Sequence, residues 1–249
     1  MKLPDAAGYE LWLLRLGSLD FEPGDVLPDR PATVCANALL LRGHGRTLLV
    51  DAGSGPADVL WPGAGGLEEA LEADGFAAAD IEAVVLTHFD FDHSGGVLAG
   101  TWPDDVRPAF PRVIVSEVDL GVGRPGEPPA WDVGTRVREL YGQADRLDVA
   151  EDGVEFLPGL RLVSAPGHCP GHCVLLVGDE FVYAADVLHH EEHVAHPEWD
   201  SRFDADPGLA IETRRAWLAR LAESGTPVAF SHVPARGRIG PGPSWIPNA

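Results

Sequence analysis

The chain is poor in positive charge. Its 18 lysines and arginines face 39 aspartates and glutamates, a net charge of −21 with histidine neutral. Binding to nucleic acid depends on cationic side chains that displace counterions, so this balance argues against a nucleic-acid partner, nuclease activity included. It argues equally against an anionic membrane surface. Cysteine is scarce as well. Cys35, Cys169 and Cys173 are too few, and odd in number, for a disulfide framework, and they suit a reducing cytoplasm. Long apolar runs are absent: nothing approaches the roughly 20 residues of a membrane span. Residues 1–5 lack the basic start and apolar run of a secretory signal, so the expected location is the cytoplasm. Internal repeats, low-complexity tracts and linkers are also missing, and we expect one domain over residues 1–249.

What remains is an ordinary globular composition, 45% apolar and 23% charged, in a chain long enough to bury a large core. Runs of strand type fall at 9–20, at 33–41 and 46–50 around a glycine-rich turn, and at 83–86 and 113–115. Others fall at 160–163, at 173–177 and 181–184 around Gly178, and at 227–230. Helical spacing appears at 66–74, 135–147 and 207–223, and we expect a further helix after His93. Residues 121–134 read as an irregular excursion. Their Gly121-Val122-Gly123-Arg124-Pro125-Gly126 spells a dinucleotide motif, but no strand leads into it and Pro125 interrupts it. Hairpins with helices between them predict an α/β fold of sheets covered by helices.

Chemistry concentrates after the 83–86 run. His88, Asp90, Asp92 and His93 put four metal-capable side chains into six residues, and Ser94-Gly95-Gly96 then permits a sharp bend. In extended chain, residues i and i+2 point the same way, so His88 and Asp90 can face one point. Asp92 and His93 can face a second one nearby. Imidazole and carboxylate suit zinc and its first-row neighbours. Six residues cannot complete two coordination shells, and further candidates stand at the ends of other β runs: Asp51, His168, Asp186 and His232. Loops at one edge of a rigid sheet are where functional groups collect. The assignment we test is His88, Asp90 and His168 on one cation, Asp92, His93 and His232 on the other, with Asp186 bridging.

The motifs resemble those of the metallo-β-lactamase superfamily. The strand-end aspartate is Leu48-Leu49-Val50-Asp51-Ala52-Gly53, and the H-x-H-x-D-H signature is His88-Phe89-Asp90-Phe91-Asp92-His93. The later motifs are Ala165-Pro166-Gly167-His168-Cys169-Pro170-Gly171-His172, Asp186 and His232. The resemblance implies a four-layer αβ/βα sandwich with two divalent metal ions at the edge between two sheets. It makes Asp51 an orienting residue rather than a ligand, and His172 structural. The segments His196-Pro197-Glu198-Trp199, Phe203-Asp204-Ala205-Asp206-Pro207, Thr213-Arg214-Arg215 and Phe230-Ser231-His232-Val233-Pro234 look most like the N-acyl homoserine lactonase and methyl-parathion hydrolase branch.

That resemblance implies a dinuclear hydrolase acting on a small lactone, ester or phosphotriester, with a metal-bridging hydroxide as nucleophile and Asp92 as its hydrogen-bond acceptor. Zinc is the first choice of metal. Asp90 stands where the family usually has histidine, which favours manganese or iron somewhat. It also leaves a rival open: a mononuclear non-haem iron thiol dioxygenase of the same fold using His88, Asp90 and His168. His189 lies three residues after Asp186, where homoserine lactonases place a substrate-contacting tyrosine, so it is a candidate catalytic donor. His190, His193 and His196 are expected to line the pocket or face solvent. Trp102, Trp131 and Trp199 are candidates for an apolar wall. The partner expected is a small-molecule substrate, and a homodimer is compatible with the sequence.

Overall fold

The computed structural model describes residues 1–119, 132–242 and 244–247. In its first half the strands are β1 (Lys2–Ala6), β2 (Tyr9–Phe21), β3 (Ala32–Gly43), β4 (Arg46–Val50) and β5 (Ala83–Val85). A small hairpin, β6 (Leu98–Thr101) and β7 (Asp105–Pro108), precedes β8 (Val113–Ser116) and β9 (Leu147–Ala150). Between them run the helices α1 (Leu67–Ala73), α2 (Phe91–Ser94) and α3 (Val133–Gln143). The second half supplies β10 (Glu155–Leu157), β11 (Leu160–Ser164), β12 (Cys173–Val177), β13 (Phe181–Tyr183), α4 (Pro207–Ser224), β14 (Val228–Ala229), β15 (Gly237–Gly240) and β16 (Ser244–Pro247). Two seven-stranded sheets result, ordered β1-β2-β3-β4-β5-β8-β9 and β10-β11-β12-β13-β14-β15-β16.

Alternation along the strands explains the layers. Leu39 and Leu41 of β3 and Leu48 and Val50 of β4 pack with Leu160, Leu162, Leu175 and Val177 of the other sheet. The residues between them point outward. Leu40 and Leu49 meet Leu67 and Leu71 of α1 and Val137 and Tyr141 of α3. Val174 and Leu176 meet Trp217, Leu218 and Leu221 of α4. A period of two thus buries both faces of each sheet, one on its twin and one under helices, as the four-layer α/β sandwich requires.

Several expectations are corrected. The helix does not follow His93: α2 begins at Phe91 with Asp90 as its N-cap and carries Asp92 and His93 itself. The helix expected to 147 ends at Gln143, because Asp145 turns the chain (φ +54°) and Leu147 already pairs with Val113 in β9. The strands β1, β10, β15 and β16 were not expected, and neither was the β6–β7 hairpin. Most of the 121–134 excursion, its glycine motif and Trp131 lie outside the described residues, while residues 133 and 134 open α3.

Candidate metal centre

β4 hands over to Asp51, whose backbone is left-handed (φ +57°), a conformation that aspartate tolerates better than most residues. Its buried carboxylate accepts from the Thr87 backbone N–H (2.9 Å), the Thr87 hydroxyl (2.9 Å) and His93 Nδ1 (2.9 Å). Glycine brings the next loop close. Gly96 donates to the Gly53 carbonyl at 2.7 Å, and Ala52 donates to the His93 carbonyl at 2.8 Å. A Cβ on Gly96 would lie 2.0 Å from the Ala52 carbonyl oxygen, which no side chain could survive without backbone movement. The Asp51 loop and the turn carrying Asp92 and His93 are therefore clamped as one piece.

The four histidines share one arrangement. His93 Nδ1 is held by Asp51. His88 Nδ1 faces the Thr87 hydroxyl at 3.0 Å; that hydroxyl spends its proton on Asp51, so His88 Nδ1 is the donor. His232 Nδ1 donates to the Cys35 carbonyl at 2.7 Å, and His168 Nδ1 faces Asp204 Oδ1 at 3.4 Å. Each ring is thus fixed through Nδ1 and leaves Nε2 on the opposite side, in one cup. His88 Nε2 lies 3.7 Å from Asp90 Oδ2, and His168 Nε2 lies 3.1 Å from the same oxygen. His93 Nε2 and His232 Nε2 are both 3.7 Å from Asp92 Oδ2. Asp186 sits between the two sets: Oδ1 is 3.3 Å from His93 Nε2, while Oδ2 is 3.1 Å from His232 Nε2 and 3.6 Å from His168 Nε2.

These separations fit cations. Ligand atoms about 2.1 Å from a tetrahedral zinc lie roughly 3.4 Å apart. His88 Nε2, His93 Nε2 and Asp186 Oδ1 are buried without a hydrogen-bond partner, a costly state that a shared cation would relieve. The sets His88–Asp90–His168 and Asp92–His93–His232 each place one ligand atom per residue within 4.8 Å of the others. A further set, His168–Asp186–His189, meets the same criterion.

The electrostatics lean the same way. Burial pushes the His88 imidazole well down, and the nearby His93 adds to it. Burial also opposes charge on His93, yet Asp186, Asp92 and Asp51 hold it well above the usual range. Against the same penalty, Asp204 and Asp90 push His168 up to about 9, and Asp186 and Asp92 raise His232. Asp186 is held well below the usual carboxylate range by His232 and His93 despite its burial. Carboxylates thus raise three of the four cup imidazoles against burial, as expected of a site that favours positive charge.

His172 is built differently. Its Nε2 accepts from the Asp186 backbone N–H at 3.0 Å and its Nδ1 donates to the Ala165 carbonyl at 2.8 Å, so neither nitrogen is left for a cation. Burial pushes it down to about 4. His189 lines the cavity over the cup. It lies 3.2 Å from His168 Nδ1 through Nε2, and its buried Nδ1 has no hydrogen-bond partner. Of its neighbours, His190 is half-buried, and His196 is exposed and stacks on Trp199 with ring centroids 4.1 Å apart. His193 is fully buried, against expectation, because its Nε2 pairs with the Val26 carbonyl at 3.1 Å.

The cavity wall is Leu19, Phe21, Val26, Val34, Trp61 and Phe203. Phe21 touches both Trp61 and Phe203, with centroids 5.1 and 4.9 Å apart. Of the candidate tryptophans, Trp102 and Trp199 do not line this cavity; they are partly buried against the core cluster to which its wall also belongs. Sequence spacing also missed Asn37, which donates to the carbonyls of Phe230 and Val233 and so fixes the His232 loop across both sheets. Tyr183, which donates to the Asn37 carbonyl at 2.9 Å, was missed too.

A family model, that of the Metallo-beta-lactamase superfamily, matches residues 36–232. The chain belongs to this superfamily. Its fold agrees with that of AidC, described as a dizinc quorum-quenching lactonase and solved with a homoserine product (TM-score 0.84, 23% identity, 100% of this chain and 97% of that one). The chain is 28% identical over 193 residues to a probable metallo-hydrolase, Rv2300c, of Mycobacterium tuberculosis, covering 64% of this chain and 58% of the relative. It is thus matched over little more than half the length of that relative. It is also 31% identical over 134 residues to the N-acyl homoserine lactonase AttM of Rhizobium radiobacter, 49% of this chain and 47% of the relative. Against the superfamily's H-x-H-x-D-H signature, the departure in this member is Asp90 at the second histidine.

Proposed function

We propose that this superfamily member is a dinuclear metal-dependent hydrolase, a single domain over residues 1–249, that opens a small lactone or cleaves a small ester or phosphotriester. The observation that carries the reading is the shared orientation of the four imidazoles: each is tied through Nδ1 to an oxygen and turns Nε2 toward Asp90, Asp92 or Asp186. Outer partners of this kind set the tautomer a metal requires. His88, Asp90 and His168 would hold one cation, Asp92, His93 and His232 the other, and Asp186 both. Two divalent cations bound there would supply Lewis acidity, lowering the pKa of water to about 7 and polarising the scissile carbonyl or phosphoryl oxygen. Zinc is the metal we favour first, with manganese or iron as the alternatives that Asp90 brings in.

The chain's own groups then do the following. Asp92, at the cup's mouth and less enclosed than Asp186, accepts a hydrogen bond from the attacking water and orients its lone pair. The water's oxygen adds to the acyl or phosphoryl centre, and the bond to the alkoxy leaving group breaks. His189 is neutral, because burial pushes it well down. Its Nε2 lies 3.2 Å from His168 Nδ1, whose N–H is directed at Asp204, so Nε2 faces a donor and carries no proton itself. The proton of His189 sits on Nδ1, the atom left without a partner, and can be donated to the substrate's carbonyl or leaving oxygen. The apolar wall of Phe21, Trp61 and Phe203 excludes bulk water and favours an uncharged substituent. Lactone chemistry is favoured by the likeness to AidC and AttM, both lactonases by name. Cys35, Cys169 and Cys173 are buried and none is in a disulfide, which suits the cytoplasmic location we propose.

A thiol dioxygenase would need His88, Asp90 and His168 alone and would leave the second set without a task. The test is turnover of a panel of lactones, aryl esters and phosphotriesters by protein of known metal content. His189→Ala is expected to lower kcat by about 10²-fold, the scale of one general acid, with both metals retained. Unchanged kcat would remove its role.

A further inference from the structure

Behind the cup lies a buried ion pair that the chemistry above does not use. Arg214 of α4 and Asp204 are 3.4 Å apart, with side-chain exposures of 1% and 0%. Replacing such a pair by apolar residues of similar size is often neutral or stabilising, so stability alone is a weak reason for one. The contacts suggest another reason. Arg214 Nε donates to the Val187 carbonyl at 3.0 Å, one residue after Asp186. Its Nη1 donates to the carbonyls of Pro197 and Trp199. The guanidinium therefore ties the Asp186 segment and the 197–199 loop to α4, and its remaining arm holds Asp204 Oδ2. The other oxygen, Oδ1, faces His168 Nδ1.

The His168 loop is fastened to the same part of α4. Thr213 Oγ1 donates to the Pro166 carbonyl at 2.6 Å, and the Ala205 N–H donates to the His168 carbonyl at 2.8 Å. The Asp206 N–H donates to the Gly167 carbonyl at 2.9 Å. Gly167 has φ +128°, and a Cβ there would lie 2.3 Å from the Ala210 nitrogen. Loop backbone and helix are thus in direct contact, and the ring of His168 is the last free variable.

We propose that Asp204 and Arg214 are positioning residues for the first cation site: Arg214 pins the Asp204 carboxylate, and Asp204 keeps the proton of His168 on Nδ1 so that Nε2 faces the cation. His189 Nε2 lies near the same proton, but the carboxylate is the charged acceptor of the two and so the stronger one. Arg214 also acts on the bridging ligand, because the carbonyl it holds belongs to the residue after Asp186. Among the described residues, no other cup histidine leans on a carboxylate that is itself held by an arginine. His88, His93 and His232 lean on a hydroxyl, a carboxylate hydrogen-bonded by Thr87, and a backbone carbonyl.

The inference rests on the dinuclear reading, and cobalt(II) titration of metal-free protein separates the two. Wild type should take up two cobalt ions, read from the visible d–d absorption. In Asp204→Asn one of the two should bind about 10- to 100-fold more weakly, the usual effect of losing a ligand's outer partner, and the other should bind as in wild type. The double variant Asp204→Leu/Arg214→Met leaves no unpaired buried charge, so it should fold even where the single variant does not. Because it also releases the Val187 carbonyl beside the bridging ligand, it should weaken cobalt binding at least as much as Asp204→Asn does. Cobalt titrations of both variants that overlay the wild type, whatever their melting temperatures, would overturn the positioning role and leave the dinuclear reading intact. A wild type that binds no cobalt would overturn both.

Discussion

Asp90 decides which ion the first site prefers. A carboxylate in place of an imidazole makes the site harder and less positive, which favours manganese and iron relative to a three-histidine set. Asp90→His should therefore shift uptake toward zinc when metal-free protein is offered equal zinc and manganese and the bound metal is counted. An unchanged ratio would show that position 90 does not set selectivity. Asp119 makes a second prediction at this scale. It is buried beside Gly171, and burial, helped by the charge of Asp90, pushes its carboxyl up to about 7 against the pull of Arg138. A carboxyl raised in the folded state costs nothing below its unfolded value of about 4 and becomes a penalty as pH climbs from there through 7. Asp119→Asn should accordingly raise the melting temperature at pH 8 by several degrees and change it little at pH 4. Equal shifts at both would contradict the burial argument. The cup residues were legible in the sequence because their types are rare and each stands near the end of a β run. Their partners Thr87, Asn37, Asp204 and Arg214 were not assigned as such. They are ordinary residues whose roles exist only once distant segments meet, as with Asn37 and Val233.

At the level of elements, strong periodicity was readable and weak periodicity was not. The alternation in β3, β4, β11 and β12 and the helical spacing of α4 reproduce closely, because each buries a regular apolar face. β15 and β16 were missed because Gly237, Gly240 and an exposed Ile246 give no such pattern, and tertiary pairing with β14 makes the strand. The position of α2 was misjudged for a related reason. His93 and Ser94 donate from their backbone N–H groups to the Asp90 carbonyl, so the turn starts before the signature ends. This packing carries a prediction. Gly96→Ala would drive a Cβ into the Ala52 carbonyl and separate the Asp51 loop from His93. It should cost about 1–3 kcal/mol, the usual range for overpacking a core, in denaturant unfolding, and should weaken metal retention at the second site. A variant as stable as wild type with both metals held would show the contact to be unimportant.

For the whole molecule, the charge of −21 and the cup act together. Acidic surroundings raise the local concentration of divalent cations and discourage anionic substrates. In the metal-free protein His168 is raised to about 9. A histidine raised above its unfolded value of about 6.5 stabilises the fold fully below that pH and loses the contribution as pH rises through 9. Metal-free protein should therefore melt lower at pH 9 than at pH 6.5, and the gain in melting temperature on adding metal should be larger at pH 9, where protons no longer compete for the imidazoles. Thermal melts with and without chelator across that range check both, and a metal-induced gain that shrinks with pH would contradict them. The central claim has the most direct test of all. Protein purified without chelator should contain two divalent ions per chain by elemental analysis, and stripping then restoring them should abolish and recover lactone or ester turnover. One iron per chain with oxygen uptake, or full turnover by stripped protein, would contradict it.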